Sequence, residues 1–174
     1  MRAPGPSPLP RLLHDNPDTV THLLEALTGE PLVADVVRQY SRPAETANAL
    51  EVEAGHPLTH RIALLKGGVS MVPLVYAESA FVPGRLPAAA CLQLERTSDP
   101  IGRVLTAHGL ALHREDLPAS GAGTPRELDL IATGASAVVW FRSYRLANDG
   151  LPVFAISEWF LRAVQDALDR PMPL

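Results

Sequence analysis

The chain has 174 residues, of which 47% are hydrophobic, and a net charge of −4. These values indicate one folded globular domain and exclude a disordered chain. There is no basic run or basic amphipathic stripe, so we expect neither nucleic acid nor a membrane surface as a partner. No apolar stretch reaches the roughly 18 residues that a membrane span needs, and no secretory signal is evident. Since the single Cys91 also excludes an internal disulfide, we predict a cytoplasmic protein.

The two ends of the chain are predicted to be tails around one domain. Residues 1–14 form a flexible tail in this prediction because four prolines and a glycine break the helical pattern there, although residues 11–14 fit one helical turn. The domain spans residues 15–168, and residues 169–174 form a second tail. The first helix of the domain has Asp18 as its N-cap and ends at Gly29.

Strand-like segments follow this helix. We predict strands at residues 31–40, 49–54, 59–65 and 69–82. Gly67 and Gly68 separate the last two runs, which predicts a β-hairpin with Arg61 in its first arm. Pro73 indicates a bend or bulge at the start of the return strand.

The second half of the chain is predicted to contain helices, a loop and a final hairpin. We place helices at residues 85–96, from 100 onward and at 162–168, an extended segment at 109–115, a loop at 117–125, and a hairpin at 137–146 and 153–161. Residues 127–131 fit no single class. Because strands follow strands through short turns, we predict an α+β domain with an antiparallel sheet and flanking helices.

The last predicted strand, VFAISEWFL at residues 153–161, carries a charge inside an apolar pattern. Because side chains alternate along a strand, Phe154, Ile156, Glu158 and Phe160 share one face. A glutamate in such a place is either a solvated residue near an edge or a buried group in a pocket, and the strand by itself favours neither reading.

Other polar side chains interrupt the apolar strands in the same way. They are Arg61, Glu78, Arg142 and Arg145. A single strand arginine is most often a solvated surface residue, but several that converge on one sheet face would suit a small, anionic and partly apolar ligand. No phosphate-binding glycine loop, nucleophile elbow or zinc-protease motif is present, and the six histidines are scattered, so we expect no metal site.

Seven stretches resemble, in order, the chorismate pyruvate-lyase family in its small bacterial and mycobacterial-type branch. They are DTVTHLLEALTG, HRIALL, VYAESAFVPGRLP, DPIGRVL, HRE, RSYRL and LPVFAISEWF. The resemblance implies a six-stranded antiparallel sheet with helical flaps over a buried site. It also implies conversion of chorismate to 4-hydroxybenzoate and pyruvate without a cofactor.

The resemblance assigns roles to three places in the chain. Arg61 matches the strand arginine that binds the ring carboxylate, and Glu158 matches the buried glutamate near the ring hydroxyl. Ile101 and Gly102 match a Pro-Leu-Gly turn whose backbone amide helps hold the product carboxylate, with isoleucine here in place of leucine. The apolar neighbours of Glu158 favour its neutral acid, which would donate or shuttle a proton, and a concerted rearrangement is the other route left open.

The sequence departs from the family at one expected contact. The enterobacterial-type enzymes carry an arginine where this chain has Ala77-Glu78-Ser79, so a contact to the pyruvyl carboxylate is missing if that arginine aligns with Ser79. As replacements we consider Arg114, Arg142 and Arg145.

This departure keeps two alternatives open. One is an enzyme of the same fold, a lyase or cyclase of secondary metabolism, that acts on a different small molecule. The other is a non-catalytic ligand-binding domain, because a related fold serves as the effector domain of some transcription regulators. In each case we expect an aromatic or dicarboxylate small molecule as the partner, and the sequence leaves both a monomer and a homodimer open.

Overall fold

The computed structural model describes residues 8–15, 19–118, 123–131 and 137–170. Six strands in these ranges form one sheet: β1 Leu32–Pro43, β2 Pro57–Gly67, β3 Pro73–Phe81, β4 His113–Asp116, β5 Val138–Asn148 and β6 Leu151–Leu161. The α-helices in the same ranges are α1 Leu9–Asp15, α2 Val20–Thr28, α3 Ala88–Arg96, α4 Ile101–Ala107, α5 Arg126–Ile131 and α6 Arg162–Leu168.

The strands lie in the order β1-β2-β3-β6-β5-β4, and each neighbouring pair is antiparallel. Two hairpins, β2–β3 and β5–β6, meet along β3 and β6 at the centre of the sheet. The predicted α+β class, the antiparallel sheet and both hairpins are therefore confirmed. The β2–β3 register shifts between Leu65 and Lys66, opposite Pro73, so the bulge predicted from this proline is also present.

One predicted strand is wrong. Residues 49–54 form an irregular segment without strand pairing. The Asn48 side chain donates to the carbonyl oxygens of Glu45 and Val52 and accepts from the Val52 amide, so it satisfies backbone groups locally and holds a turn. The segment contains the apolar residue Leu50 because this side chain is buried at the edge of the core.

A helix occupies the second part of the predicted N-terminal tail. In α1, Leu9 and Leu13 are four residues apart, lie on one face and pack with α2 and α6 against the sheet. Pro10 lies in the first turn, where a missing amide donor breaks no helical hydrogen bond. The helical turn expected at residues 11–14 is therefore present, and it belongs to a longer helix that begins at Leu9.

Several predicted features fall outside the described ranges. These are residues 1–7 and 171–174 of the two tails, the N-cap Asp18, and residues 119–122 of the loop. Thr19 is the residue that precedes α2. Residues 127–131, whose class the sequence left open, belong to α5.

The helices α1, α2, α3, α4 and α6 pack on one face of the sheet, which we call the helical face. Phe154, Ile156 and Phe160 lie on this face together with Glu158, as the alternation predicts. Because β6 is a central strand, Glu158 is buried rather than solvated at an edge. The opposite face packs against Leu128 of α5.

None of the described helices is long and apolar enough to cross a membrane, and the cytoplasmic location stays a prediction.

Candidate active site

A cavity of about 700 Å³ lies on the helical face, between the sheet and the starts of α2 and α4. Small-molecule sites typically have volumes of roughly 300–1,000 Å³. The floor of the cavity carries small side chains on three adjacent strands, namely Ala34, Ala63, Ala77 and Ser79. Side chains of this size leave the space above the sheet open, whereas larger ones would fill it, as they do elsewhere in the core.

Arg61 lies on β2 beside this floor. It is 2% exposed, and its terminal nitrogens donate to the carbonyl oxygens of Leu94 at 3.1 Å and Asp99 at 3.0 Å. Burial lowers the pKa of the guanidinium from its ordinary value, yet an arginine remains charged at neutral pH. No carboxylate in the described ranges forms an ion pair with Arg61, so an anionic ligand in the cavity would meet its charge.

Glu158 lies on β6, and both of its carboxylate oxygens accept hydrogen bonds. The Nε of Arg142 donates to Oε2 at 2.6 Å, and the hydroxyl of Tyr144 donates to Oε1 at 3.0 Å. Arg142 is directly opposite Glu158 in the β5–β6 ladder, and Tyr144 lies two residues further along the same face. Two polar donors thus lie among the apolar neighbours of Glu158, and they hold its buried carboxylate as an acceptor.

Both donors keep their protons in this environment. Burial, reinforced by the charge of Glu158, raises the pKa of Tyr144 well above its ordinary value. Burial by itself would lower the pKa of Arg142, but the charge and hydrogen bond of Glu158, together with Tyr144, outweigh it and raise that pKa. Tyr144 and Arg142 therefore remain donors to the carboxylate at any pH at which the protein would be assayed.

Arg114 lies on β4 and also lines the cavity. Its two terminal nitrogens donate to the carbonyl oxygens of Leu13 and His14, each at 3.0 Å, at the C-terminal end of α1. A terminal nitrogen of Arg142 donates to the same Leu13 oxygen at 3.4 Å. Two guanidinium groups thus meet at the end of α1, where helix carbonyls carry partial negative charge.

Ile101 and Gly102 begin α4 and line the cavity. A Cβ atom at Gly102 would lie 2.4 Å from the Oγ1 of Thr19 and 2.9 Å from the Oγ1 of Thr21. A glycine is therefore required at this position because the starts of α2 and α4 touch there. The predicted backbone contact from Ile101 or Gly102 to a carboxylate stays a prediction.

The remaining two predicted site residues behave differently. Ser79 lines the cavity, and its hydroxyl donates to the backbone oxygen of Arg61 at 3.2 Å. Arg145 lies on the opposite face of the sheet from Arg142 and pairs with Glu51 and Glu115. The structure therefore does not bring Arg145 to the cavity, because residues an odd number apart on a regular strand face opposite sides.

Sequence reasoning missed several residues of the cavity. Tyr144 is the most important, and its signal was its position two residues after Arg142 on a strand paired with that of Glu158. Thr19 is another: its Oγ1 is buried and has no hydrogen-bond partner among the described residues. Within the described ranges, no group of three histidine, cysteine, aspartate or glutamate residues is placed to hold a metal ion.

Comparison with known proteins identifies the family. The family model described as chorismate pyruvate-lyase Rv2949c-like matches residues 14–168. The chain belongs to this family. Chorismate pyruvate-lyase of Mycobacterium tuberculosis is 30% identical over 154 residues, which cover 84% of this chain and 76% of that protein. The Mycobacterium leprae enzyme of the same name is 30% identical over 172 residues, covering 92% of this chain and 80% of that one.

Solved structures show the same fold at low sequence identity. The effector domain of PhnF from Mycobacterium smegmatis has a TM-score of 0.63 at 15% identity, over 84% of this chain and 90% of that domain. A GntR-family transcriptional regulator from Bacillus cereus has a TM-score of 0.51 at 10% identity, over 82% of this chain and 96% of the other. At these identities the likeness concerns the fold alone.

Proposed function

We propose that this protein is a chorismate pyruvate-lyase that forms 4-hydroxybenzoate and releases pyruvate. The observation that carries the proposal is the cavity that brings Arg61, Glu158 and Arg142 together on one face of the sheet. Membership of the Rv2949c-like family supports the same reaction. The small-molecule partner in this proposal is a dicarboxylate with a six-membered ring.

The placement of the two main residues suits a ring with polar groups at both ends. Arg61 pairs with Ser79 on β3, and Ala77, two residues away on β3, pairs with Glu158 on β6. Arg61 and Glu158 are therefore two strands and two residues apart, which is about 12 Å between Cα atoms. We assign the ring carboxylate to Arg61 and the ring hydroxyl to Glu158, with the ring above the alanines between them.

Catalysis of this reaction requires mainly that the protein position the substrate and stabilise its charges. The bond between the ring and the enolpyruvyl oxygen breaks, and the ring carbon that carries the hydroxyl loses its hydrogen. The enolpyruvyl methylene gains a hydrogen and becomes the methyl group of pyruvate. The new aromatic ring supplies the driving force, so fixed charges that hold both ends of the substrate contribute most of the catalysis.

Glu158 is the residue to which we assign the chemistry at the ring hydroxyl. Each of its oxygens has one further lone pair beyond the hydrogen bonds from Arg142 and Tyr144, so it accepts from the ring hydroxyl. The hydrogen lost from the ring then reaches the methylene either through Glu158 or directly. The size of the effect of Glu158→Gln separates these two routes.

The first prediction therefore concerns Glu158→Gln. We expect chorismate binding to stay within about threefold, because the amide keeps the shape of the side chain. Turnover should fall by about 10²–10⁴-fold if Glu158 carries the proton. A loss of only about tenfold would assign the hydrogen transfer to the direct route. The measurement is pyruvate release, followed by a coupled reduction, together with chromatography of 4-hydroxybenzoate.

The native protein provides the decisive control. Release of pyruvate and 4-hydroxybenzoate in equal amounts, without added metal or cofactor, would support the proposal. If no pyruvate forms but chorismate or 4-hydroxybenzoate raises the melting temperature, the protein is a ligand-binding domain, as the effector domains of the same fold suggest. If neither happens, the cavity serves an enzyme that acts on a different small molecule.

A further inference from the structure

Charged residues follow one another across the helical face in the order of the strands. Arg61 is on β2, Glu158 on β6, Arg142 on β5 and Arg114 on β4, and all four line the cavity. Only Glu158 among them is negative, and the carboxylate of Asp15, which also lines the cavity, is mostly exposed to solvent. The cavity therefore has a positive end at β2 and a second positive end at β5 and β4, which suits a ligand with a carboxylate at each end.

Arg142 already forms an ion pair within the protein, with the carboxylate of Glu158. Its Nε donates to Glu158 at 2.6 Å, and the pair is almost fully buried. The charge of Arg142 is therefore already balanced by the buried carboxylate of Glu158, so Arg142 offers a substrate carboxylate less uncompensated positive charge. Arg142 therefore positions Glu158 and does not serve as the main partner of a substrate carboxylate.

Among the described residues, Arg114 has no buried carboxylate as a partner. The carboxylate that it does pair with there is that of Asp116, at 3.7 Å from its Nε and mostly exposed, so solvent screens that pair. The two carbonyl oxygens of α1 occupy two of the five N–H donors of the guanidinium. Donors that can bind a carboxylate with two parallel hydrogen bonds thus remain at the β4 end of the cavity.

We propose that Arg114 binds the second carboxylate of the substrate, that of the enolpyruvyl group, and that the end of α1 holds its guanidinium ready for this contact. The inference rests on the proposed function for the identity of the substrate. Leu13 and His14 each fix one terminal nitrogen of Arg114, so little side-chain freedom is lost when the ligand binds. Arg114 thus takes the role of the arginine that is absent at Ser79.

The test compares a ligand with both carboxylates and a ligand with one. Chorismate carries both, whereas 4-hydroxybenzoate carries only the ring carboxylate. In Arg114→Gln we expect the KM for chorismate to rise by about 10- to 100-fold, because a charge-assisted contact is lost. The dissociation constant of 4-hydroxybenzoate should stay within about twofold. Arg114→Lys keeps the charge without the fork and should lie between the native protein and the glutamine variant.

A matched control removes the same charge outside the cavity. Arg145→Gln, on the opposite face, should leave the binding of both ligands unchanged. If Arg114→Gln weakens both ligands equally, Arg114 only supports the structure through α1 and the inference is wrong. If it weakens neither, another group holds the second carboxylate and the inference is again wrong.

Two unreactive probes separate this inference from the proposed function. They are 3-(carboxymethoxy)benzoate, which carries two carboxylates, and 3-methoxybenzoate, which carries one. If the native protein releases no pyruvate but binds the first probe more tightly, and Arg114→Gln abolishes that preference, the role of Arg114 stands while the lyase activity fails. If the native protein prefers neither probe, or the preference survives the substitution, the inference fails regardless of activity.

Discussion

At the scale of single residues, the hydroxyl of Tyr144 is the group whose removal tests the site most selectively. Tyr144→Phe leaves the Arg142–Glu158 pair but removes the donor to Oε1. A buried carboxylate oxygen that loses a donor costs about 1–3 kcal/mol. We expect kcat to fall about tenfold while the KM for chorismate stays within about twofold, since Tyr144 acts by orienting Glu158. Steady-state kinetics with pyruvate detection gives both constants.

The sheet provides a matched control for this substitution. Tyr76 is also buried and also donates to a glutamate, Glu78 at 3.0 Å, but on the face away from the cavity. Tyr76→Phe should therefore alter stability without altering kcat. Equal effects of Tyr76→Phe and Tyr144→Phe on kcat would mean that general destabilisation, rather than the orientation of Glu158, explains the loss.

At the scale of elements, the contact between the starts of α2 and α4 shapes the cavity. Gly102→Ala would place a Cβ atom 2.4 Å from the Oγ1 of Thr19, so the two helices must move apart. Overpacking of this kind costs about 1–3 kcal/mol. We expect a lower free energy of unfolding and a higher KM for chorismate, because both helix starts line the cavity. Denaturant unfolding and kinetics on the same preparation measure the two effects.

A second glycine calibrates the effect. Gly84 lies in the 3₁₀ turn Pro83–Arg85, and a Cβ atom there would meet nothing within 4 Å. Gly84→Ala should therefore be close to neutral for both stability and KM. If Gly102→Ala proves equally neutral, the starts of α2 and α4 can separate at Gly102 and Thr19 without cost, and they do not define the cavity wall.

The register of the β5–β6 hairpin is a feature that could not be predicted from the sequence. The turn and the alternation locate both strands, and the turn pairs Asn148 with Leu151. Counting from that pair without a bulge would place Phe141 opposite Glu158 and Arg145 on the cavity side. The register shift after Leu146 moves Arg142 opposite Glu158 instead. Because one inserted residue exchanges the two faces, the sequence could not select between Arg142 and Arg145.

The other contacts that the sequence did not predict are long-range ones. Arg114 contacts Leu13 across a separation of 101 residues in the chain. Arg61 on β2 contacts the carbonyl oxygens of Leu94 in α3 and of Asp99 before α4. Periodicity and turn residues report local geometry, so they gave the strands and most helices. They do not report that a predicted tail folds back as α1 to meet an arginine of β4.

At the scale of the whole molecule, net charge and local charge disagree. The chain carries −4 overall, whereas the described lining of the cavity holds three arginines, Arg61, Arg114 and Arg142, against two carboxylates, Asp15 and Glu158. Other acidic groups lie away from the cavity, including Glu78 on the opposite face. The stability of the fold should therefore depend on pH through carboxylates that have no part in catalysis.

Glu78 gives the sharpest case of this pH dependence. Burial raises its pKa above the ordinary value, although the hydrogen bond from Tyr76 works against the shift. An acid whose folded pKa is raised binds more protons when folded, so its contribution is most favourable below the unfolded pKa and is lost as pH rises through the folded pKa. Glu78→Gln removes this titration and keeps an acceptor for Tyr76. We therefore expect the variant to be more stable than the native protein at pH 7, and the difference to shrink towards pH 4.

Denaturant unfolding at both pH values measures this difference, and kinetics on the same variant should show unchanged turnover, in contrast to Glu158→Gln. Glu53→Gln removes the same charge from an exposed residue. If Glu53→Gln gives an equal gain at pH 7, relief of net negative charge rather than burial is responsible. If Glu78→Gln is less stable than the native protein at pH 7, the carboxylate is held by more favourable contacts than Tyr76 alone, and burial does not control its protonation.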